Sequence, residues 1–130
     1  MDQFFIDVMK EHILQTQTSD WKQRQDAVNS MFDFISANTA TITSKNNSKL
    51  AELADAICRV INDQNAKIQQ TSLERFQQVL LQLLVFVENY IQTFIQALAQ
   101  SLASTNAAIK KQTESIMQRI MENIDKTALV

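Results

Sequence analysis

Few residues in this chain could carry a reaction. His12 is the only histidine and Cys58 the only cysteine. His12 has no second histidine, no cysteine and no paired carboxylate beside it, so it lacks a partner set for metal ligation or acid–base work. It reads as a helix-face histidine. Cys58 lies in an apolar helical pattern and reads as a small buried side chain. A lone cysteine closes no internal disulfide, which suits a reducing, intracellular setting. The chain has no glycine, so no phosphate-cradling loop of the usual kind can be drawn. Glu52, Asp55 and Glu74 fall on separate stretches of helix face. No enzyme, cofactor or metal reading stands on these residues.

Recognition chemistry is better supplied. The stretch Ser19-Asp20-Trp21-Lys22-Gln23-Arg24 holds the only tryptophan, between an acidic residue and two bases. Aromatic and arginine side chains dominate the binding energy of protein interfaces. The competing reading is structural, since a tryptophan at a helix start can staple a loop to the core.

The elements that must position this stretch are helical. Glycine and proline are both absent, while 45% of the 130 residues are apolar. Tight β-hairpins mostly need residues of positive φ, so an all-α chain with Ser, Thr, Asn and Asp connections follows. Phe4, Phe5, Val8, Met9, His12 and Ile13 predict a helix over about 3–15. Asp20 or Ser19 caps a second, with Trp21, Ala27, Val28, Met31, Phe32, Phe34 and Ile35 on its apolar face, fading at Asn38. Thr39 to Ser48 reads as a polar connector. Leu50, Leu53, Ala54, Ile57, Val60 and Ile61 predict a third helix over about 49–62. A fourth starts near Ala66 and bends or stops between Val85 and Asn89, with Asn89 as the next cap. A fifth spans about Tyr90–Leu102 and a sixth about Ala107–Ile124. Asp125 to Val130 carry no assignment.

These helices repeat in pairs, over about 3–38, 49–88 and 90–124. A shift of 41 residues lays Leu50 on Ile91, Leu53 on Phe94, Ile57 on Leu98, Asn65 on Asn106 and Ile68 on Ile109. A shift of 45 lays Asp20 on Asn65 and Met31 on Phe76. A period in the low forties is the size class of HEAT and armadillo repeats. The capping side chain recurs as Asp20, Asn65 and Asn106, because each second helix needs an acceptor for its unpaired first-turn N–H groups. At the positions equivalent to Trp21 stand Ala66 and Ala107. The frame therefore needs no bulk there, and the tryptophan is expected to be exposed. Lys22, Arg24, Lys67, Lys110 and Lys111 all fall at the starts of second helices, where cations oppose the helix dipole. A basic edge meant for an acidic partner would explain them.

The frame resembles a known family. Asp20-Trp21-Lys22-Gln23-Arg24 followed by Ala27 looks like the first HEAT repeat of a TOG domain. Ile61-Asn62-Asp63-Gln64-Asn65-Ala66-Lys67-Ile68 is similar to the second-repeat pattern of that family, and Leu102 to Lys111 to the third. The resemblance runs along the chain and covers about half of a family domain, which typically has six repeats. It implies a solenoid of three antiparallel helix pairs whose intra-repeat loops line one edge and bind αβ-tubulin or the microtubule lattice. Its contact residues would be Trp21, Lys22 and Arg24, then Asn65 and Lys67, then Asn106, Lys110 and Lys111. It further implies a cytoplasmic, cytoskeletal protein, with the cilium or axoneme among its places of work.

The alternative is a HEAT-type scaffold that buries Trp21 and binds another protein through a helix face. A ligand carrier would need a polar pocket around His12. The net charge of −2 and the lack of a basic run argue against nucleic acid. The apolar run Val79–Val87, broken by Gln82, is too short to span a membrane. Met117, Ile120 and Met121 are expected to leave an apolar end face for self-association or a partner chain.

Overall fold

The computed structural model describes residues 3–44 and 48–124; residues 45–47 of the polar connector and the tail 125–130 lie outside them. All regular structure among the described residues is helical. The helices are α1 (Gln3–Gln15), α2 (Trp21–Ala37), α3 (Thr39–Thr43), α4 (Ala51–Ile61), α5 (Ala66–Val79), α6 (Leu84–Asn89), α7 (Ile91–Leu102) and α8 (Ala107–Asn123). Within each sequence pair the long helices pack on one another: α1 on α2, α4 on α5, α7 on α8. Between pairs, α5 lies against both α2 and α8, and α4 against α7 and, more lightly, α1. The first helices of the pairs thus neighbour one another, and so do the second.

The pattern of apolar positions explains this packing. All six expected inward residues of the third predicted helix, Leu50 to Ile61, are buried. Met31, Phe32 and Ile35 of α2 meet the same core as Ile68, Leu73 and Phe76 of α5 and Ile109, Ile116 and Ile120 of α8. Four phenylalanines, Phe32, Phe76, Phe86 and Phe94, are fully buried. Phe76 and Phe94 stack with ring centroids 5.4 Å apart and planes 5° off parallel. Phe86 meets Phe94 edge-on at 5.8 Å and 75°. Aromatic pairs of this kind add about 0.5–1.5 kcal/mol beyond the area they bury.

Several expectations change. Phe4 is 78% exposed, and Ile6 takes the inward place on α1. The connector after Asn38 holds a short helix, α3, because Ile42 gives it one buried anchor. The fourth helix stops at Val79, earlier than expected, and a 3₁₀ turn over Leu80–Gln82 leads into α6. That break lets Leu80, Leu83, Phe86 and Val87 all turn inward while Leu81 and Val85 face out. Asn89 ends α6 and caps nothing; α7 begins after Tyr90 without a side-chain cap. At the far end Ile120 is buried and Met117 half-buried, so of the three residues expected to form an apolar end face only Met121 is well exposed.

The three repeated caps form as expected. Asp20 accepts from the N–H groups of Lys22 and Gln23, Asn65 from those of Lys67 and Ile68, and Asn106 from those of Ala108 and Ile109. A second device recurs two residues earlier. The Asn65 N–H donates to Asp63 at 2.8 Å, and the Asn106 N–H to Ser104 Oγ at 3.1 Å. Asn65→Ala is expected to cost about 1 kcal/mol, measured by urea denaturation, since it strands two first-turn donors. Asn65→Asp should restore the loss, because a carboxylate accepts the same bonds and favours the helix dipole.

Candidate functional site at the turn edge

Residues 16–20 join α1 to α2, and residues 62–65 join α4 to α5. The two turns are tied to each other. Arg24 donates from Nε to Asp63 Oδ1 at 2.7 Å and from Nη2 to Asp63 Oδ2 at 2.9 Å. Its Nη1 donates to the carbonyls of Thr18 and Ser19 at 3.0 and 3.4 Å. The two side chains keep only 16% and 11% of their exposure. The hydrogen bond to Asp63 raises the Arg24 guanidinium above its ordinary pKa against the opposing effect of burial, and the charges of Asp63 and Asp20 act in the same direction. A planar fork matched to a carboxylate fixes both distance and angle, which lysine could not do. The pair therefore sets the spacing of the two turns.

That spacing determines the neighbourhood of Trp21. Trp21 is 41% exposed. Lys22 Nζ, from the same helix, lies 5.9 Å from its centroid, and Lys67 Nζ, from the start of α5, lies at the same distance. Each ammonium gains about 0.5–1 kcal/mol from the ring's negative face at an exposed site. The result is an open aromatic surface flanked by two cations from two successive turns. No acidic residue stands in the first turn of α2, α5 or α8; the carboxylates beside these positive helix ends are the Asp20 cap and Asp63, which is paired with Arg24.

The residues singled out by sequence thus divide. Trp21, Lys22 and Lys67 come together at the surface. Arg24 is bonded to Asp63 and to the Thr18 and Ser19 carbonyls of the first turn. The side chains of Asn65 and Asn106 are committed to capping. Lys110 and Lys111 are exposed near the start of α8. Among the described residues only Lys22 and Lys67 lie over the Trp21 ring. Asp63 was missed as a functional residue. Its signals were its place two residues before a cap, the place Ser104 holds in the third pair, and its place in the stretch similar to a second-repeat pattern.

His12 and Cys58 follow the structural reading. His12 is half-buried with its ring 5.0 Å from that of Phe34. Cys58 donates to the Thr93 carbonyl at 3.7 Å, and burial pushes its thiol up to about 12, with the Asp55 charge adding. A thiol held protonated at neutral pH is a poor nucleophile. Among the described residues no group of His, Cys, Asp and Glu could hold a metal ion, and no helix is long and apolar enough to cross a membrane. In the comparisons with known proteins, no protein-family model, curated protein or solved structure matches the chain.

Proposed function

We propose that this chain is a protein-binding module that engages an acidic partner through its turn edge, with Trp21 as anchor. The observation that carries the reading is the exposed indole flanked by Lys22 and Lys67 at equal distance. An aromatic surface supplies contact area at low entropy cost, and the flanking cations select for negative charge. The mechanism is association without a chemical step. We read the three helix pairs as a HEAT-like solenoid with antiparallel pairs, in which the turns fall along one edge. The likeness of the Trp21 and Lys67 segments to a TOG domain points to αβ-tubulin, free or in the microtubule lattice, and so to the cytoskeleton. Burial of the Arg24–Asp63 pair supports a scaffolding role for those two residues.

The test is size-exclusion chromatography of the chain with unpolymerised αβ-tubulin at low salt, beside Trp21→Glu. Co-elution is expected for the native chain and loss of it for the variant, with far-UV circular dichroism unchanged. Microtubule pelleting covers a partner present only in the lattice. Failure of both assays for the native chain would overturn the tubulin assignment. Equal binding by Trp21→Glu would overturn the anchor. Raising salt should weaken the association, since the flanking cations are exposed and screened.

A further inference from the structure

Lys110 and Lys111 take no part in the Trp21 cluster. Both are exposed, and among the described residues neither forms an ion pair, Glu114 one turn further along α8 included. The repeat register shows what these places do elsewhere in the chain. Shifts of 45 and then 41 carry Gln25 to Gln70 and Lys111, and Arg24 to Gln69 and Lys110. In the first pair these are the residues that hold the next pair. Gln25 donates to Thr71 at 2.8 Å, and Arg24 donates to Asp63 at 2.7 Å. Lys110 and Lys111 therefore stand at latch positions on the outer face of the third pair.

The apolar part of the stacking face recurs there as well. Cys58, Ile61, Phe76 and Leu80 are buried, and two of them touch the third pair directly: Cys58 donates to the Thr93 carbonyl, and Phe76 stacks on Phe94. A shift of 41 replaces the four by Ala99, Leu102, Met117 and Met121. Ala99 is exposed, Leu102 and Met117 are half-buried, and Met121 is 55% exposed. The opposite end of the stack is the open face of the first pair. Gln25 and Asn29 of α2 are bonded to α5, so the other side of α2 faces outward. There α2 and the end of α1 enclose a cleft of about 360 Å³ lined by Gln15, Thr18, Gln23, Asp26, Ala27 and Ser30. Its one charge is Asp26, which is exposed and forms no ion pair among the described residues. Phe34, half-buried, follows Ser30 by one turn, and Phe4 is exposed at the start of α1. Both lie at the end away from the turns, as Met121 does.

We propose that the chain associates with further copies of itself head to tail, the outer face of the third pair receiving the open face of the first pair of the next copy. A shift of 45 lays Asp26 on Thr71 and Thr18 on Asp63. Stacking in the manner of the internal pairs thus sets Lys111 against Asp26 of the next copy, and Lys110 against its Thr18. Both recipients line the one cleft. Met117 and Met121 then cover the end that holds Phe4 and Phe34. Charge selects this arrangement, because a symmetric pairing of two third-pair faces uses neither Asp26 nor the cleft. Helices α7 and α8, of 12 and 17 residues, make a face about 18–25 Å long and about 20 Å wide. That is roughly 400 Å², against the about 800 Å² per partner of a stable complex. The association is accordingly weak. Being heterologous, it does not close and continues as an open array. These faces lie apart from the Trp21 cluster, and their use is independent of any tubulin contact.

The test is sedimentation of the full chain at low salt from about 20 μM to about 2 mM, with a dissociation constant per contact at or below about 0.5 mM expected. The weight-average mass should rise from 14.8 kDa and pass twice that value without a plateau at the dimer. Lys111→Glu and Asp26→Lys, both at exposed positions, should each weaken the association at least about tenfold. An equimolar mixture of the two variants should recover the native rise, since each end of one then meets an opposite charge on the other. That recovery also excludes a folding defect in either variant. Trp21→Glu should leave the native rise unchanged. A mass that stays at 14.8 kDa, a rise that stops at the dimer, indifference to Lys111→Glu, loss of association in Trp21→Glu, or no recovery on mixing would each overturn the proposal.

Discussion

Phe94→Ala is expected to destabilise the chain by about 3–5 kcal/mol, as read by urea denaturation at pH 7. Phe94 has no exposure and touches two other buried rings, Phe76 of α5 and Phe86 of α6. Truncation loses the transfer free energy of the ring. It also leaves a cavity between helices that are tied elsewhere and can close only in part. The loss should appear in far-UV circular dichroism as a single lower midpoint with the slope unchanged. The control is Phe4→Ala, where a ring 78% exposed should matter by no more than about 0.5 kcal/mol. A loss below about 1 kcal/mol for Phe94→Ala would show that the stacked rings are not the centre of the core.

Arg24→Ala should cost about 2–3 kcal/mol, more than any exposed ion pair would. It removes a two-pronged partner from a mostly buried carboxylate and leaves the Thr18 and Ser19 carbonyls without their donor. Arg75 and Asp33, 2.6 Å apart, give the contrast: Asp33 keeps 73% of its exposure, so that pair should contribute well under 1 kcal/mol. A double-mutant cycle of Arg24→Ala and Asp63→Ala should return a coupling of at least about 1 kcal/mol that changes little with salt. A coupling near zero would mean that the turns are spaced by backbone packing alone. Arg24→Lys should restore only part of the loss, since an ammonium cannot grip both oxygens in one plane.

Much of this architecture was legible in the sequence, and the parts that were not share a cause. Leu53, Ile57 and Ile61 repeat at helical spacing and announce α4 without help. Asp20, Asn65 and Asn106 announce three helix starts, because a cap is a local device within three residues. The break after Val79 was hidden by its own composition. Leu80, Leu81, Leu83 and Leu84 look alike in sequence, and only the closure of the core around Phe86 decides which turn inward. The short helix at Thr39–Thr43 was hidden because one isoleucine among threonines makes no period. Trp21 could be expected at the surface because Ala66 and Ala107 stand in its place elsewhere. The role of Arg24 could not be read, since Asp63 lies 39 residues away in sequence.

The polar ties are unevenly shared along the chain. Between the first two pairs stand Arg24 with Asp63, Arg59 with Thr16, Gln25 with Thr71, and Arg75 with Asn29 and Asp33. Among the described residues, the side-chain ties between the second and third pairs are Ser101 and Ala97 with Asn62, Ser101 with the Ile61 carbonyl, and Cys58 with Thr93. The first junction is therefore laced on both of its helix layers, whereas the second is laced on the α4–α7 side and relies on apolar packing between α5 and α8. Directional bonds resist sliding, and apolar faces tolerate it. Under tension or on heating, α8 would be the hinge that yields first, while α1, α2, α4 and α5 move as one block. Trp21 and Lys67 belong to that block, so the turn edge around the indole would keep its shape while the far end of the chain flexes.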